Sequence, residues 1–208
     1  MRRSLLGTYQ NYDNGHEGNV WFCLVESVLE LERHIKSAVA SYKEVFSGPP
    51  YFENYDGKEE SFIVPMFNDY AERGILVLAM FGENTTEARV IGFGASIDAD
   101  KSEAAGFLRD KKGFEKLDDF LYMAELGVES PFRNQGLGTQ LVVARINEAK
   151  TNPRFNFTHV IMRTAAVGSN SKRIYERLGA KHVEGLVELK EDFGTQSSER
   201  IFLRMPIL

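Results

Sequence analysis

The run Arg133-Asn134-Gln135-Gly136-Leu137-Gly138-Thr139 is where residue types and spacing in this chain point to chemistry. Two glycines one residue apart let a backbone pass close to a ligand. They stand between strand-forming residues and a stretch, Gln140 to Lys150, that reads as a helix. A strand, a glycine loop and a helix N-terminus together present unpaired N–H groups and the positive end of a dipole, which suits a phosphate or pyrophosphate. The same two glycines would also serve a plain strand-to-helix turn, so the flanking residues must decide.

Each common phosphate loop demands particular residues for a mechanical reason. A Walker loop needs Gly-Lys-Ser/Thr for a triphosphate and its magnesium, and the chain has no such triplet. The dinucleotide fingerprint needs a third glycine for close helix packing, and Leu141 stands there. What remains is Arg-x-x-Gly-x-Gly behind a strand that ends Glu125-Leu126-Gly127-Val128. Downstream, Tyr175-Glu176-Arg177-Leu178-Gly179-Ala180 adds a tyrosine and a Leu-Gly ending to a later helix. In this order the two motifs resemble the GNAT superfamily of acyl-coenzyme A-dependent N-acetyltransferases. The resemblance is specific from about Phe120 to Ala180 and only topological elsewhere.

The resemblance implies acetyl-coenzyme A as cosubstrate and assigns its contacts residue by residue. Arg133, Asn134, Gln135, Gly136, Leu137, Gly138 and Thr139 would hold the pyrophosphate. Leu126, Gly127 and Val128 would offer backbone partners to the pantetheine where a bulged strand parts from its neighbour. A glycine inside a strand also fits a simple packing concession. Ser171 would take a polar contact, and Lys172 one near the 3′-phosphate. Two departures stand out. The family's usual asparagine falls where this chain has Gly168, which leaves coenzyme contact by Asn170 in doubt, and Ala180 replaces the common aromatic after Leu-Gly.

Acyl transfer to an amine needs a deprotonated nitrogen, a polarised carbonyl and a proton for the departing thiolate. Glu125 lies where family members often carry a carboxylate. It would act as the base, directly or through a water, or would only anchor a cationic substrate. Tyr175 matches the family tyrosine that protonates the coenzyme sulfur, which a phenol can do because it stays protonated near neutrality. As a bare helix aromatic it would instead be core. Tyr51, Glu53 and Asp56 belong to a cluster of carboxylates and aromatics, Tyr51 to Asp56, where this fold builds its acceptor site. Acidic groups beside aromatic faces suit an ammonium, although a solvated loop would look the same.

The remaining sequence must position these groups. Residues 1 to 18 read as a mobile start and Val20 to Val25 as the first strand. Ser27 can cap one helix running to about Phe46, with Leu29, Ile35, Val39 and Tyr42 at helical spacing. A second helical region, Glu59 to Arg73, is expected to break or bend at Pro65. Ile75 to Phe81 and Arg89 to Ile97 read as a hairpin, and residues 98 to 118 as an insertion with a short helix. Strands over Phe120 to Val128, Thr158 to Thr164, His182 to Lys190 and Arg200 to Ile207 follow, with a helix from Ser169 to Leu178 closed by Gly179. The expected fold is α/β (α+β) and GNAT-like: one domain over residues 1 to 208, with a mixed central sheet of about six to seven strands flanked by about four helices.

Composition bounds the partners. A chain of 208 residues that is 43% hydrophobic has ample core, and a net charge of −5 argues against nucleic acid and for a cationic substrate. The lone Cys23, within an apolar run, fits a reducing cytoplasm. No signal peptide and no membrane-spanning run are apparent. The four histidines, His16, His34, His159 and His182, lack metal-ligand spacing, so no metal is expected. An exposed terminal strand could pair two copies as a homodimer. The expected activity is direct attack by the primary amine of a small molecule on acetyl-coenzyme A in a ternary complex. The alternatives are a protein lysine or N-terminus as acceptor, a longer acyl group, or a coenzyme-binding module without turnover.

Overall fold

The computed structural model describes residues 2–10, 17–48, 53–82, 88–167, 169–190 and 198–207. Among them are eight strands in the order β1-β2-β3-β4-β5-β6-β8-β7, and six α-helices of which two are single turns. The mixed sheet of the expected fold class is therefore present, with more elements than the sequence suggests. The chain divides into two compact units, Met1–Ala95 with Glu125–Ala144, and Ser96–Ala124 with Arg145–Leu208.

In the first unit β1 (Arg2–Gln10) pairs antiparallel with β2 (Glu17–Val25), with an irregularity between Leu5 and Gly7. This adds a strand where the sequence reading has none and corrects the expectation of a first strand beginning at Val20. The apolar run of β2 offers a backbone edge, and that tertiary pairing overrides the weak local pattern of the segment before it. On its other side β2 pairs antiparallel with β3 (Ile75–Gly82), Val20 opposite Phe81 and Val25 opposite Leu76. β3 and the following β4 (Arg89–Asp98) are buried along almost their whole length, the signature of strands covered on both faces. The loop expected between them, residues 83 to 87, lies outside the described residues.

The single helix expected after Ser27 is two. The Ser27 hydroxyl accepts from the Glu30 amide at 3.3 Å and caps α1 (Val28–Leu31), and a turn at Glu32 and Arg33 leads to α2 (Ile35–Ser47). The break resets the helical phase, so that Leu31 is buried and Leu29 exposed. α2 then presents Ala38, Tyr42, Val45 and Phe46 to the core, at three- and four-residue spacing. Glu59–Ile63 forms a π-helical turn that runs into α3 (Val64–Arg73). Pro65 falls in the first turn of α3, where the helix changes from π to α, so the interruption expected at this proline is found as a change of helix type.

The second unit starts with the end of β4. The stretch expected as an insertion holds a single turn, α4 (Ala105–Leu108). It is fastened by Arg163, whose guanidinium pairs with Glu103 and, at 2.9 Å, with Glu188. β5 (Phe120–Val128) pairs in parallel with β6 (His159–Ala165) from Phe120 opposite His159 to Met123 opposite Met162. Parallel neighbours need a crossover, which here contains α5 (Leu137–Thr151). α6 (Asn170–Arg177) follows, then β7 (Lys181–Lys190) and β8 (Ser198–Pro206), with β8 antiparallel to both β6 and β7.

Candidate functional site

The glycine loop is set up by contacts within the first unit. Past the end of β5, the Glu129 amide donates to the Ile91 carbonyl at 2.9 Å. The buried Glu129 carboxylate accepts from Arg89 at 2.6 and 2.8 Å. The Ser130 amide donates to the Glu44 carboxylate at 3.1 Å, and partial burial pushes the Glu44 carboxyl above its ordinary range. Phe132, fully buried, has the Arg89 guanidinium 5.6 Å from its ring centre. These anchors fix where the loop begins.

Within the loop, the Arg133 Nε donates to the Val128 carbonyl at 2.9 Å, so this arginine folds back on the strand it follows. Asn134 has φ 63° and Gly136 φ 85°. Asparagine is one of the few side chains that visits this left-handed region readily, and glycine does so without penalty. A Cβ at Gly136 would meet nothing within 4 Å, so backbone conformation and not lack of room calls for glycine there. The helix begins at Leu137, three residues before the sequence suggests, because Gly136 supplies the carbonyl that receives the Gln140 amide at 3.1 Å. Gly138 and Thr139 thus fall in its first turn, whose amides have no partner within the helix. Open space beside Gly136 and this helix start fit the pyrophosphate of a coenzyme.

Glu125 belongs to a different arrangement. Two residues on, a Cβ at Gly127 would lie 2.4 Å from one Phe93 ring carbon and 3.0 Å from a Val45 methyl. Glycine is thus required there by packing, a direct cause for the concession that the sequence left open. Side chains two apart on a strand share a face, so Glu125 is on the face of β5 that meets Phe93 and Val45. Tyr42 stacks on Phe93 with ring centres 5.4 Å apart and meets Tyr55 edge-on at 5.3 Å. The Tyr55 hydroxyl donates to Glu53, and its ring stacks on Phe62 at 5.8 Å. Burial pushes the Tyr42 hydroxyl far up, and the charge of Glu125 adds to this. Burial and the bond to Glu53 do the same to Tyr55. Both phenols stay protonated.

Glu125 and Glu53 are therefore brought to one aromatic group in the first unit. Asp56 instead pairs with Lys43 at 2.7 Å on a side chain that is 80% exposed, and Lys43 also holds Glu59 at 2.6 Å. Tyr51 lies outside the described residues. Tyr42 and Tyr55 are the residues that the site reading passed over. Tyr55 stands in the acidic-aromatic run already singled out. Tyr42 shows itself only as one of two hydroxyls, with Ser41, on the buried face of α2.

Tyr175, Ser171 and Lys172 are residues of the second unit. Tyr175 is buried on α6, and Gly179, at φ 94°, ends that helix. The Ser169 hydroxyl caps α6 by accepting from the Lys172 amide at 3.2 Å. Ser171 is held in a triangle of hydroxyls, 2.7 Å from Ser169 and 3.0 Å from Thr164. The Lys172 ammonium donates to the Ala166 carbonyl at 3.3 Å. Gly168 lies outside the described residues, and Asn170 is exposed at the first position of α6. Among the described residues, no group of three His, Cys, Asp or Glu could hold a metal ion.

A mixed sheet with a parallel pair joined by a helix crossover, and a glycine loop at the helix start, is an α/β arrangement suited to a phosphate-bearing ligand. The model of the Acetyltransferase (GNAT) family matches residues 37–180, well over half of the chain, and the chain belongs to that family. It is an acetyl-coenzyme A-dependent acyltransferase. A search of curated proteins finds no match to the sequence. Solved structures are similar in fold at low identity. NAA60 of Arabidopsis thaliana, in complex with a bisubstrate analogue, is 16% identical, with a TM-score of 0.58 over 89% of this chain and 98% of that one. A ribosomal-protein-alanine N-acetyltransferase from Brucella melitensis is 14% identical, with a TM-score of 0.55 over 84% and 95%. The putative acetyltransferase yncA from Salmonella typhimurium, with its cofactor acetyl-CoA, is 13% identical, with a TM-score of 0.52 over 89% and 94%.

Proposed function

We propose that this enzyme transfers an acetyl group from acetyl-coenzyme A to the primary amine of a small molecule by direct attack in a ternary complex. The observation that carries the reading is the face formed by Glu125, Glu53 and the rings of Tyr42, Tyr55 and Phe93. Carboxylates beside aromatic faces attract an ammonium, and a strand carboxylate is suited to take its proton. The acyl donor supplies an activated carbonyl. Arg133 to Thr139 bind its pyrophosphate through backbone amides, and Leu126, Gly127 and Val128 offer backbone groups to its pantetheine. Ser171 and Lys172 add polar contacts. Glu125 removes the proton that blocks the nitrogen lone pair. Tyr175 holds a phenolic proton near neutrality and gives it to the departing thiolate.

A peptide N-terminus as acceptor is the second reading. It is favoured by the similar structures, one of them a ribosomal-protein-alanine N-acetyltransferase. No helix among the described residues is long and apolar enough to cross a membrane, and the single cysteine, buried beside Met80, supports a reducing cytoplasm as the setting. Thiol release from acetyl-coenzyme A, measured against polyamines, aminoglycosides, arylalkylamines, amino acids and short peptides, tests the choice. Turnover of a small amine is expected, and efficient turnover of peptides alone would put the second reading in its place.

A further inference from the structure

The turn that leads into the glycine loop has a partner for every amide it possesses. Glu129 is followed by a 3-10 turn, Ser130–Phe132, and then by Arg133, the first residue of the loop. The Phe132 amide donates to the Glu129 carbonyl at 3.0 Å, and the Arg133 amide to the Ser130 carbonyl at 3.2 Å. The first amides of such a turn have no carbonyl within it, so they must be met from outside. Glu129 is met by the Ile91 carbonyl, and Ser130 by a side chain 86 residues earlier, the Glu44 carboxylate at 3.1 Å. A relay of bonds thus runs from Glu44 to the Ser130 N–H, and from the Ser130 carbonyl to the Arg133 N–H. Glu44 is an exposed residue of α2 whose carboxyl is partly covered at the turn. Two turns earlier on the same side of α2, the Ser37 hydroxyl accepts from the Val90 amide at 2.8 Å, and Arg89, next to Val90, holds Glu129. α2 therefore grips the start of β4 and the start of the loop together, while its Tyr42 and Phe46 rings belong to the aromatic group.

We propose that Glu44 is a positioning residue for the coenzyme: by holding the Ser130 amide it presets Arg133 and the amides that follow in the conformation that receives the pyrophosphate. This rests on the proposed role of the loop. A carboxylate is a poor neighbour for an anion site, because its charge opposes the coenzyme's own. Its acceptor oxygen explains why it is there. A water could satisfy the Ser130 amide but would not fix its direction, whereas a side chain anchored on α2 does both. The gain is preorganisation, since a loop already held in its bound conformation loses less freedom when the ligand arrives. The hydrogen bond of Glu44 therefore favours coenzyme binding and its charge works against it.

These opposite signs allow a test that a merely structural role would not pass. Glu44→Ala removes both the acceptor and the charge, and its Kd for acetyl-coenzyme A by calorimetry is expected to rise on the order of 10-fold. Glu44→Gln keeps an acceptor oxygen for the Ser130 amide and loses the charge, so it should bind within about 2-fold of the parent or more tightly. Ser130→Pro removes the same bond from its other side. Glu129 has φ −55° and ψ 145°, the extended conformation that a following proline requires, and the first position of a helical turn tolerates proline. Its Kd should rise as in Glu44→Ala, and the double variant should bind no worse than either single one, as expected for two partners of one bond. Urea midpoints of both Glu44 variants without ligand should match the parent's. Unchanged or tighter binding by Glu44→Ala, equal losses in Glu44→Ala and Glu44→Gln, or additive losses in the double variant would overturn the positioning role. Gly136→Asp, measured alongside, keeps the two readings apart. If it weakens binding while Glu44→Ala does not, the positioning role alone fails; if it binds as the parent does, the loop reading fails and takes the positioning role with it.

Discussion

The glycine loop and the carboxylate–phenol face both lie in the first unit, yet they are built by opposite means. The loop is made of backbone: the contiguous run Arg133 to Thr139, left-handed φ values at Asn134 and Gly136, and the start of α5. The face is made of side chains from α2, the segment at Glu53 to Tyr55, β4 and β5, assembled only by packing. A backbone site recognises a group common to every acyl-coenzyme A. A side-chain site can be re-cut for each acceptor. Changes to the loop should therefore act on coenzyme binding, and changes to the face on turnover and acceptor choice.

Tyr175→Phe sets the scale of a pure side-chain effect. It should lower kcat on the order of 10²-fold to 10⁴-fold in steady-state thiol release, with coenzyme affinity by calorimetry nearly unchanged, because only the proton for the thiolate is lost. Gly136→Asp is the matching backbone-site change. A carboxylate about 4 Å from a phosphate near a protein surface is repelled by about 4 kcal/mol, so affinity for acetyl-coenzyme A should fall by on the order of 10²-fold or more. Gly136→Ala, with only the left-handed strain of about 1–2 kcal/mol, separates charge from conformation. If both variants bind equally well, the loop is not the anion site.

Two smaller effects sharpen the contrast within the face itself. Gly127→Ala drives a methyl into the Phe93 ring, and overpacking of this kind typically costs about 1–3 kcal/mol of stability, measurable by urea unfolding. Asp56→Asn should change acceptor kcat/KM less than about 2-fold, since its pair with Lys43 is exposed and screened by solvent. A large loss there would return Asp56 to the acceptor site.

The same division explains what was legible in the sequence. Gly136, Gly138 and Arg133 announced the loop because backbone chemistry is written in neighbouring residues, and Gly179 closes α6 with the positive φ that its position implied. β5, β6 and α6 fell within a residue or two of their expected bounds. β1 is not legible in the sequence because its partner strand, not its own pattern, makes it a strand. The break between α1 and α2 leaves no proline or glycine to mark it. Tyr42 reads as core on helical spacing, and only its ring contacts with Tyr55, thirteen residues on, and with Phe93, far along the chain, put it in the aromatic group.

The central claim is that Glu125 deprotonates a cationic amine on the acidic, aromatic face of the first unit. It is tested most directly by kcat/KM for a small primary amine as a function of pH, in the parent and in Glu125→Gln. For the parent, kcat/KM should rise with pH toward the pKa of the amine as more of it arrives deprotonated, and should fall with added salt. Glu125→Gln should lose on the order of 10²-fold or more near neutrality and recover part of that loss as pH approaches the amine's pKa. A Glu125→Gln profile that overlies the parent's at every pH would contradict the account.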